Sequence, residues 1–101
     1  GHYAKMGGLV YHPFDIHKMK PLVDKCRHLT DVILFGSKLT QEAITYFCKN
    51  TPPTLLRLNI ARERAYNGNI RALTSSCPHL QYLNIAKTSV AYQNIINVVL
   101  A

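Results

Sequence analysis

Cysteine and histidine side chains occur together twice in this chain of 101 residues, and they are the first candidates for chemistry. Cys26 precedes His28 by two residues, and Cys77 precedes His79 by the same spacing. Thiolates and imidazoles are zinc ligands, and they bind within about 2.0–2.3 Å of one ion. A Cys–His pair can also supply a nucleophile and its general base. The spacing therefore raises two hypotheses, a zinc site and a nucleophilic pair.

The sequence argues against both hypotheses. Cys26 and Cys77 occupy equivalent positions of a repeat, two units apart, so strands about 4.8 Å apart would separate them by roughly 10 Å. The five acidic residues form no pair suited to acid–base catalysis and none is placed to orient a Cys–His pair. Phosphate-loop and dinucleotide fingerprints are absent from the sequence. We therefore predict a non-enzymatic chain with no metal site and no cofactor.

Composition indicates the setting in which the chain works. Twelve Lys and Arg against five Asp and Glu give a net charge of +7, which favours anionic partners. Three cysteines make a complete disulfide framework unexpected, so we predict reduced thiols and an intracellular location in the cytoplasm or nucleus. Cys48 has no equivalent in the other units and is expected to pack near a helix end. No apolar run approaches the ~20 residues that span a bilayer, so no membrane partner is expected.

A repeat of about 25 residues is the most informative pattern in the chain. Each unit has a leucine, an apolar residue three positions later and a further apolar residue two positions after that. This pattern occurs at Leu29-Val32-Leu34, at Leu55-Leu58-Ile60 and at Leu80-Leu83-Ile85. Ten residues further on follows an apolar pair spaced by three, namely Ile44 and Phe47, Ile70 and Leu73, and Ile95 and Val98.

The spacing predicts one strand and one helix in each unit. Alternating apolar residues point to one side of a strand, and a pair three apart lies on one helical face. Such a unit cannot bury its apolar side alone and must stack on a neighbour. We therefore predict an α/β fold with neighbouring parallel strands and with helices on the opposite side. The strands should centre on Val32–Leu34, Leu58–Ile60 and Leu83–Ile85.

Capping and helix-breaking residues agree with this division of the chain. Thr40 is the predicted N-cap of the second helix, with Glu42 in its first turn. Pro52-Pro53 ends that helix. The next helix is predicted to begin at Asn67-Gly68 and to end before Cys77-Pro78, and Ser89 is the predicted cap of a last helix that contains the end of the chain, Ala101.

Residues 1–25 fit a partial N-terminal unit, and residues 26–51, 52–76 and 77–101 form three full units. The same offsets place the first strand at Gly7–Tyr11, with Leu9 inward, and the helical pair at Met19 and Leu22. Pro21 interrupts that predicted helix. Because the last unit carries no polar cap, we expect the chain to be a fragment of a longer protein with three to four repeats here.

These residues resemble a known family. Cys77-Pro78-His79-Leu80-Gln81-Tyr82-Leu83-Asn84-Ile85 and Leu39-Thr40-Gln41-Glu42-Ala43-Ile44 look like the cysteine-containing leucine-rich repeat that is typical of F-box proteins. The resemblance covers residues 26–101 well. It departs at the leading cysteine of the middle unit, which is Pro52, and at the family's second cysteine, which is Ser37, Glu63 and Thr88 in the three units. The resemblance implies a solenoid with strands on the concave side, and a substrate- or adaptor-recognition domain of a ubiquitin ligase receptor.

The outward strand positions and the residues just beyond the strands are the candidate partner-binding residues. Apolar or aromatic residues at outward positions, such as Phe35 and Tyr82, often mark a binding surface, although a missing tail or a neighbouring domain would also cover Phe35. The basic residues beyond the strands are either an ordinary solvated edge or a ridge for an acidic or phosphorylated protein. The predicted partner-binding set is Ile33, Phe35, Arg57, Asn59, Arg62, Arg64, Tyr82, Asn84 and Lys87.

Two further functions stay open from the sequence. The chain could be a repeat scaffold with no connection to ubiquitin, since the same repeats occur in proteins with no ligase role. It could also be a basic repeat module that binds RNA. Nucleic acid is the less favoured partner, because Tyr66 is the one aromatic residue interleaved with the basic ridge formed by Lys38, Arg62, Arg64 and Lys87.

Overall fold

The computed structural model describes residues 2–5, 14–91 and 99–100, in which five strands and three helices are found. The strands are β1 (His2–Lys5), β2 (Leu29–Ile33), β3 (Arg57–Asn59), β4 (Tyr82–Asn84) and β5 (Val99–Leu100). The helices are α1 (Ile16–Lys25), α2 (Gln41–Asn50) and α3 (Asn67–Ser76). None of these helices has the length and apolar composition that a bilayer crossing requires.

The strands form one parallel sheet whose spatial order follows the chain order, β1-β2-β3-β4-β5. Val32 lies opposite Leu58, and Leu58 lies opposite Leu83. This register confirms the predicted parallel pairing of neighbouring units. The strands end one residue earlier than predicted, at Ile33, Asn59 and Asn84, because a turn begins at the next residue of each unit.

The predicted inward strand residues are all buried. They form one core cluster with apolar residues of the three helices, so the helices close over one side of the sheet. The buried strand and loop residues are Leu29, Val32, Leu34, Leu55, Leu58, Ile60, Leu80, Leu83 and Ile85. The helical pairs Ile44 with Phe47 and Ile70 with Leu73 are buried as predicted, whereas the pair Ile95 and Val98 lies outside the described residues.

The helix boundaries follow the predicted capping residues. The Thr40 hydroxyl accepts a hydrogen bond from the Ala43 N–H at 3.2 Å and caps α2, and Glu42 lies in the first turn. Helix α2 ends at Asn50, ahead of Pro52-Pro53. Helix α3 begins at Asn67 and ends ahead of Cys77-Pro78, as predicted.

The N-terminal unit differs from the prediction in two respects. Met19 is buried, but Leu22 is only half-buried and Val23 takes the second core position, four residues after Met19. A separation of four residues also keeps two side chains on one helical face, so Leu22 was the wrong choice of partner. Helix α1 also continues through Pro21, which does not interrupt it.

The two ends of the chain revise the predicted strands. The predicted strand Gly7–Tyr11 lies outside the described residues, and the strand that pairs with β2 is His2–Lys5, with Ala4 opposite Val32. Ser89 lies in a bend, where its backbone N–H donates to the Ala65 carbonyl at 3.1 Å, whereas the helix that it was predicted to cap falls on residues 92–98, which are not described. Val99–Leu100 is a strand paired with β4, so the prediction that the chain stops within a helix was wrong.

Leu83 is fully buried at the centre of β4, which generates a stability prediction. We expect Leu83→Ala to lower the free energy of unfolding by about 2–5 kcal/mol, because the truncation removes apolar contacts and leaves a cavity. Urea unfolding followed by circular dichroism measures the change. Gln81→Ala, at an exposed position two residues earlier, is the control and should stay within about 0.5 kcal/mol of the parent. An unfolding curve unchanged by Leu83→Ala would contradict the inward assignment.

Candidate functional site

The side of the sheet that faces away from the core carries two rows of side chains, which we call the exposed sheet face. The parallel register brings Asp31, Arg57 and Tyr82 into one row. It brings Ile33, Asn59 and Asn84 into the other. Arg57 is exposed and the other five residues are half-buried. A depression of about 210 Å³ lies over the part of this face that includes Ile33, Arg57 and Tyr82.

Arg57 and Asp31 form an ion pair on the exposed sheet face. The Arg57 Nη1 atom lies 3.4 Å from the Asp31 Oδ1 atom, and the side chains are 55% and 37% exposed. Water screens a pair this exposed, so it contributes little to stability. The pair directs the Arg57 guanidinium towards β2, while Tyr82 lies on the other side of Arg57, on β4.

Asn59 and Asn84 use only half of their hydrogen-bonding capacity within the fold. The Oδ1 atom of each accepts a hydrogen bond from a backbone N–H two residues later, at Ala61 and Ala86, both at 3.0 Å. These bonds fix the side chains at the end of each strand. The side-chain N–H groups of both donate to no other described residue, so they are free to donate to a bound molecule.

Three equivalent turns follow strands β2, β3 and β4. In each turn the fourth N–H donates to the first carbonyl, from Ser37 to Leu34, from Glu63 to Ile60 and from Thr88 to Ile85. The third residue has a positive φ, which is 79° at Gly36, 65° at Arg62 and 57° at Lys87. A positive φ at this position is the signature of a type II turn, where glycine is favoured. A left-handed conformation at Arg62 and Lys87 costs roughly 1–2 kcal/mol each.

The Glu63 side chain ties the first two turns together from the inside. Its Oε2 atom accepts a hydrogen bond from the Gly36 N–H at 3.1 Å, and its Oε1 atom accepts one from the Leu39 N–H at 2.7 Å. The carboxylate is buried, and it satisfies two backbone donors of the preceding unit. Glu63 is therefore a structural group whose negative charge is directed inward.

The predicted basic residues fall into two places. Lys38, Arg62 and Arg64 line a cleft of about 860 Å³ between the first and second turns, which we call the rim cleft. Phe35 lies at the wall of this cleft and is 45% exposed, as predicted, but it belongs to the first turn and not to the outward strand position predicted for it, since β2 ends at Ile33. Lys87 lies on the third turn, outside the lining of the rim cleft. The predicted ridge is thus one cluster of three cations with a separate fourth.

Sequence reasoning did not identify two polar residues that shape this region. Glu63 was noted only as the replacement of a cysteine, although a polar residue at the same position of all three units could have indicated a shared structural role. Asn69 is buried in α3, where its Oδ1 atom accepts from the Tyr66 N–H at 2.9 Å and its Nδ2 atom donates to the Thr45 hydroxyl of α2 at 3.3 Å. Asn69 therefore caps the N-terminus of α3 and joins α3 to the preceding helix, α2.

The thiols are placed for packing. Cys48 and Cys77 are buried, and Cys48 lies near the end of α2 as predicted. Burial raises the pKa of Cys48 to about 12 and that of Cys77 to about 11. All three cysteines are free thiols. Residues 14–91, together with the short strands at the two ends, contain no group of three or more His, Cys, Asp or Glu side chains close enough to hold a metal ion.

Comparison with protein-family models found none that matches this chain. A comparison with curated proteins also found no match.

The thiol environments generate a reactivity prediction. The raised pKa values of Cys48 and Cys77 leave almost no thiolate at pH 8, and both side chains are shielded from solvent. We therefore expect iodoacetamide to alkylate half-buried Cys26 first in the native protein, and all three cysteines in urea. Mass spectrometry of the intact and digested protein measures the order. Rapid native alkylation of Cys77 would contradict this placement.

The Glu63 carboxylate generates a stability prediction. We expect Glu63→Gln to lower the free energy of unfolding by about 2–3 kcal/mol, because the amide presents a donor to the N–H group of either Gly36 or Leu39. Glu42→Gln, in the exposed first turn of α2, is the matched control and should cost less than about 1 kcal/mol. Urea unfolding compares the two variants, and equal effects would show that Glu63 does not hold the turns together.

Proposed function

We propose that this chain is a leucine-rich repeat module that binds a protein partner through the exposed sheet face and the adjoining rim cleft. Two recurring features support the repeat. The same positions are buried in successive units, and the same turn, with a positive φ at its third residue, follows each of three strands. In such curved arrays the concave sheet is the extended binding surface.

The chemistry of the exposed sheet face is the observation that supports protein binding most directly. Tyr82 and Arg57 are of the residue types that contribute most binding energy at protein interfaces. Ile33 adds apolar area beside them, and Asn59 and Asn84 add amide donors. A tyrosine, an arginine and an isoleucine bordering one depression can bury an apolar anchor while satisfying the polar groups around it.

The proposal assigns this chain a binding role without catalysis. The buried thiols of Cys48 and Cys77 have raised pKa values, so they are poor nucleophiles at neutral pH. The Glu63 carboxylate accepts two backbone hydrogen bonds and is therefore engaged in structure. The groups that remain accessible on the exposed sheet face are those of a recognition surface.

We further propose that the module is the substrate- or adaptor-recognition domain of an F-box-type ubiquitin ligase receptor. The support is the resemblance of the Cys77–Ile85 segment to the cysteine-containing repeat, together with the buried position of Cys77. The Cys77 thiol donates to the Pro52 carbonyl at 3.5 Å, which gives the leading cysteine a packing role between units. A scaffold with no connection to ubiquitin is the alternative function.

Capture of partners in cells tests the protein-binding role. We expect the parent chain to enrich a set of proteins that a Tyr82→Ala, Arg57→Ala double variant loses, because the change removes the anchor positions of the exposed sheet face. Phe35→Ala should weaken the same captures and leave the melting temperature nearly unchanged. Arg71→Ala, exposed on α3, is the control and should retain them. Quantitative mass spectrometry measures the enrichment.

Three outcomes separate the alternatives. Captured proteins that carry ubiquitin chains under proteasome inhibition support the ligase receptor, and captured proteins without them favour the scaffold. Salt-sensitive binding of generic RNA, with no protein that depends on Tyr82 and Arg57, would replace the proposal by nucleic-acid binding. Equal capture by the parent and the double variant would show that the exposed sheet face is not the site.

A further inference from the structure

We propose that the rim cleft is a binding site for a phosphorylated side chain of the protein partner. This inference deepens the proposed function and rests on it for the identity of the partner as a protein. The ligand class is a phosphate monoester on serine or threonine, held by Lys38, Arg62 and Arg64 and flanked by an apolar residue that packs on Phe35.

The residues that line the rim cleft carry a net positive charge. Three cations from two successive loops line one cavity, and Glu63 is the acidic residue among the lining groups, so the lining carries two net positive charges. The pair of backbone hydrogen bonds that Glu63 accepts directs its carboxylate inward. Within the described part of the chain, Lys38, Arg62 and Arg64 form no ion pair. The cleft therefore presents an excess of positive charge that the fold does not neutralise.

Two of the three cations in the rim cleft have strained backbone conformations. Arg62 and Lys38 both adopt left-handed backbone conformations, with φ of 65° and 53°, which residues other than glycine rarely adopt. Gly36 occupies the position of Arg62 in the preceding unit, so the turn does not need an arginine. Strained residues that add no packing are often held at functional sites. Both strained residues are cations that line the rim cleft.

The chemistry of the lining selects the ligand. A phosphate monoester is nearly dianionic at neutral pH and has three acceptor oxygens, which matches the net charge of the cleft and the forked donors of two arginines. The cavity volume of about 860 Å³ lies in the range of small-ligand pockets, with room for residues that flank the phosphate. Phe35 supplies an exposed aromatic surface beside the cations. A phosphorylated peptide uses both features.

Isothermal titration calorimetry with the full 101-residue chain tests the proposal. The probe is a five-residue peptide with a central phosphoserine followed by leucine, and it is compared with the same peptide carrying unmodified serine and with inorganic phosphate. We expect the phosphopeptide to bind at least about tenfold more tightly than either, because it gains both charge-assisted hydrogen bonds and the contact with Phe35.

A matched pair of variants distinguishes the cleft from general basicity. Arg62→Gly and Lys87→Gly each remove one positive charge, and each relieves a positive φ at the same position of its turn. We expect Arg62→Gly to weaken phosphopeptide binding about tenfold or more and Lys87→Gly to weaken it less than about twofold. Equal losses in the two variants would overturn the proposal, since they would indicate attraction by net charge.

Measurements with other phosphate-containing ligands identify the source of the phosphate. Inorganic phosphate that binds as tightly as the phosphopeptide, or vesicles with phosphatidylinositol phosphate that bind the parent while the peptide does not, would overturn a protein ligand. The two proposals also fail separately. Partner capture that depends on Tyr82 but not on Arg62 refutes the rim cleft alone. Phosphopeptide binding without any partner that depends on Tyr82 refutes the exposed sheet face alone.

Discussion

Backbone hydrogen bonding between successive units is the interaction on which the rest of the structure depends. The Leu34 N–H donates to the Asn59 carbonyl at 2.8 Å, and the Ile60 N–H donates to the Asn84 carbonyl at 2.9 Å. Because the repeat is 25 to 26 residues long, each strand meets the same position of its neighbour. A slip of one residue would turn the leucines to solvent and the asparagines into the core, so this register determines both the core and the exposed sheet face.

The turns that follow the strands carry the charged residues of this surface. Each turn reverses the chain from the strand towards its helix, and the Arg62 N–H continues the hydrogen bonding to the Ala86 carbonyl at 2.8 Å. The Glu63 carboxylate holds two N–H groups of the preceding unit, which compensates its burial. The negative charge lies inside the turns and the positive charges lie outside. This separation buries the carboxylate while Lys38, Arg62 and Arg64 stay exposed to solvent.

The periodic apolar residues predicted most of the fold, since burial of Leu58 or Leu83 follows from alternation alone. Three features could not be predicted from the apolar pattern. Ala4 of the first strand pairs with Val32 across 28 residues, two to three more than the repeat of 25 to 26 residues implies, so the repeat spacing placed that strand too late in the chain. Val23, and not Leu22, is the second core residue of α1, because spacings of three and of four residues from Met19 both keep a side chain on the same helical face. The rim cleft depends on the conformation of a turn, and neither Arg62 nor Lys38 has the residue type that indicates a positive φ. The candidate site was therefore predicted as a list of residues, but not as one cleft and a separate cation.

Gly36 shows how the charge of this surface can change without a change in the core. A Cβ atom added at this position would meet no atom within 4 Å, so the obstacle to a larger side chain is the backbone conformation alone, with φ at 79°. Arg62 and Lys87 demonstrate that the same conformation accommodates long cationic side chains. One position in each unit can thus exchange its charge by a single substitution without disturbing the core. The charge of this surface can therefore change one turn at a time, at a stability cost that is limited to that turn.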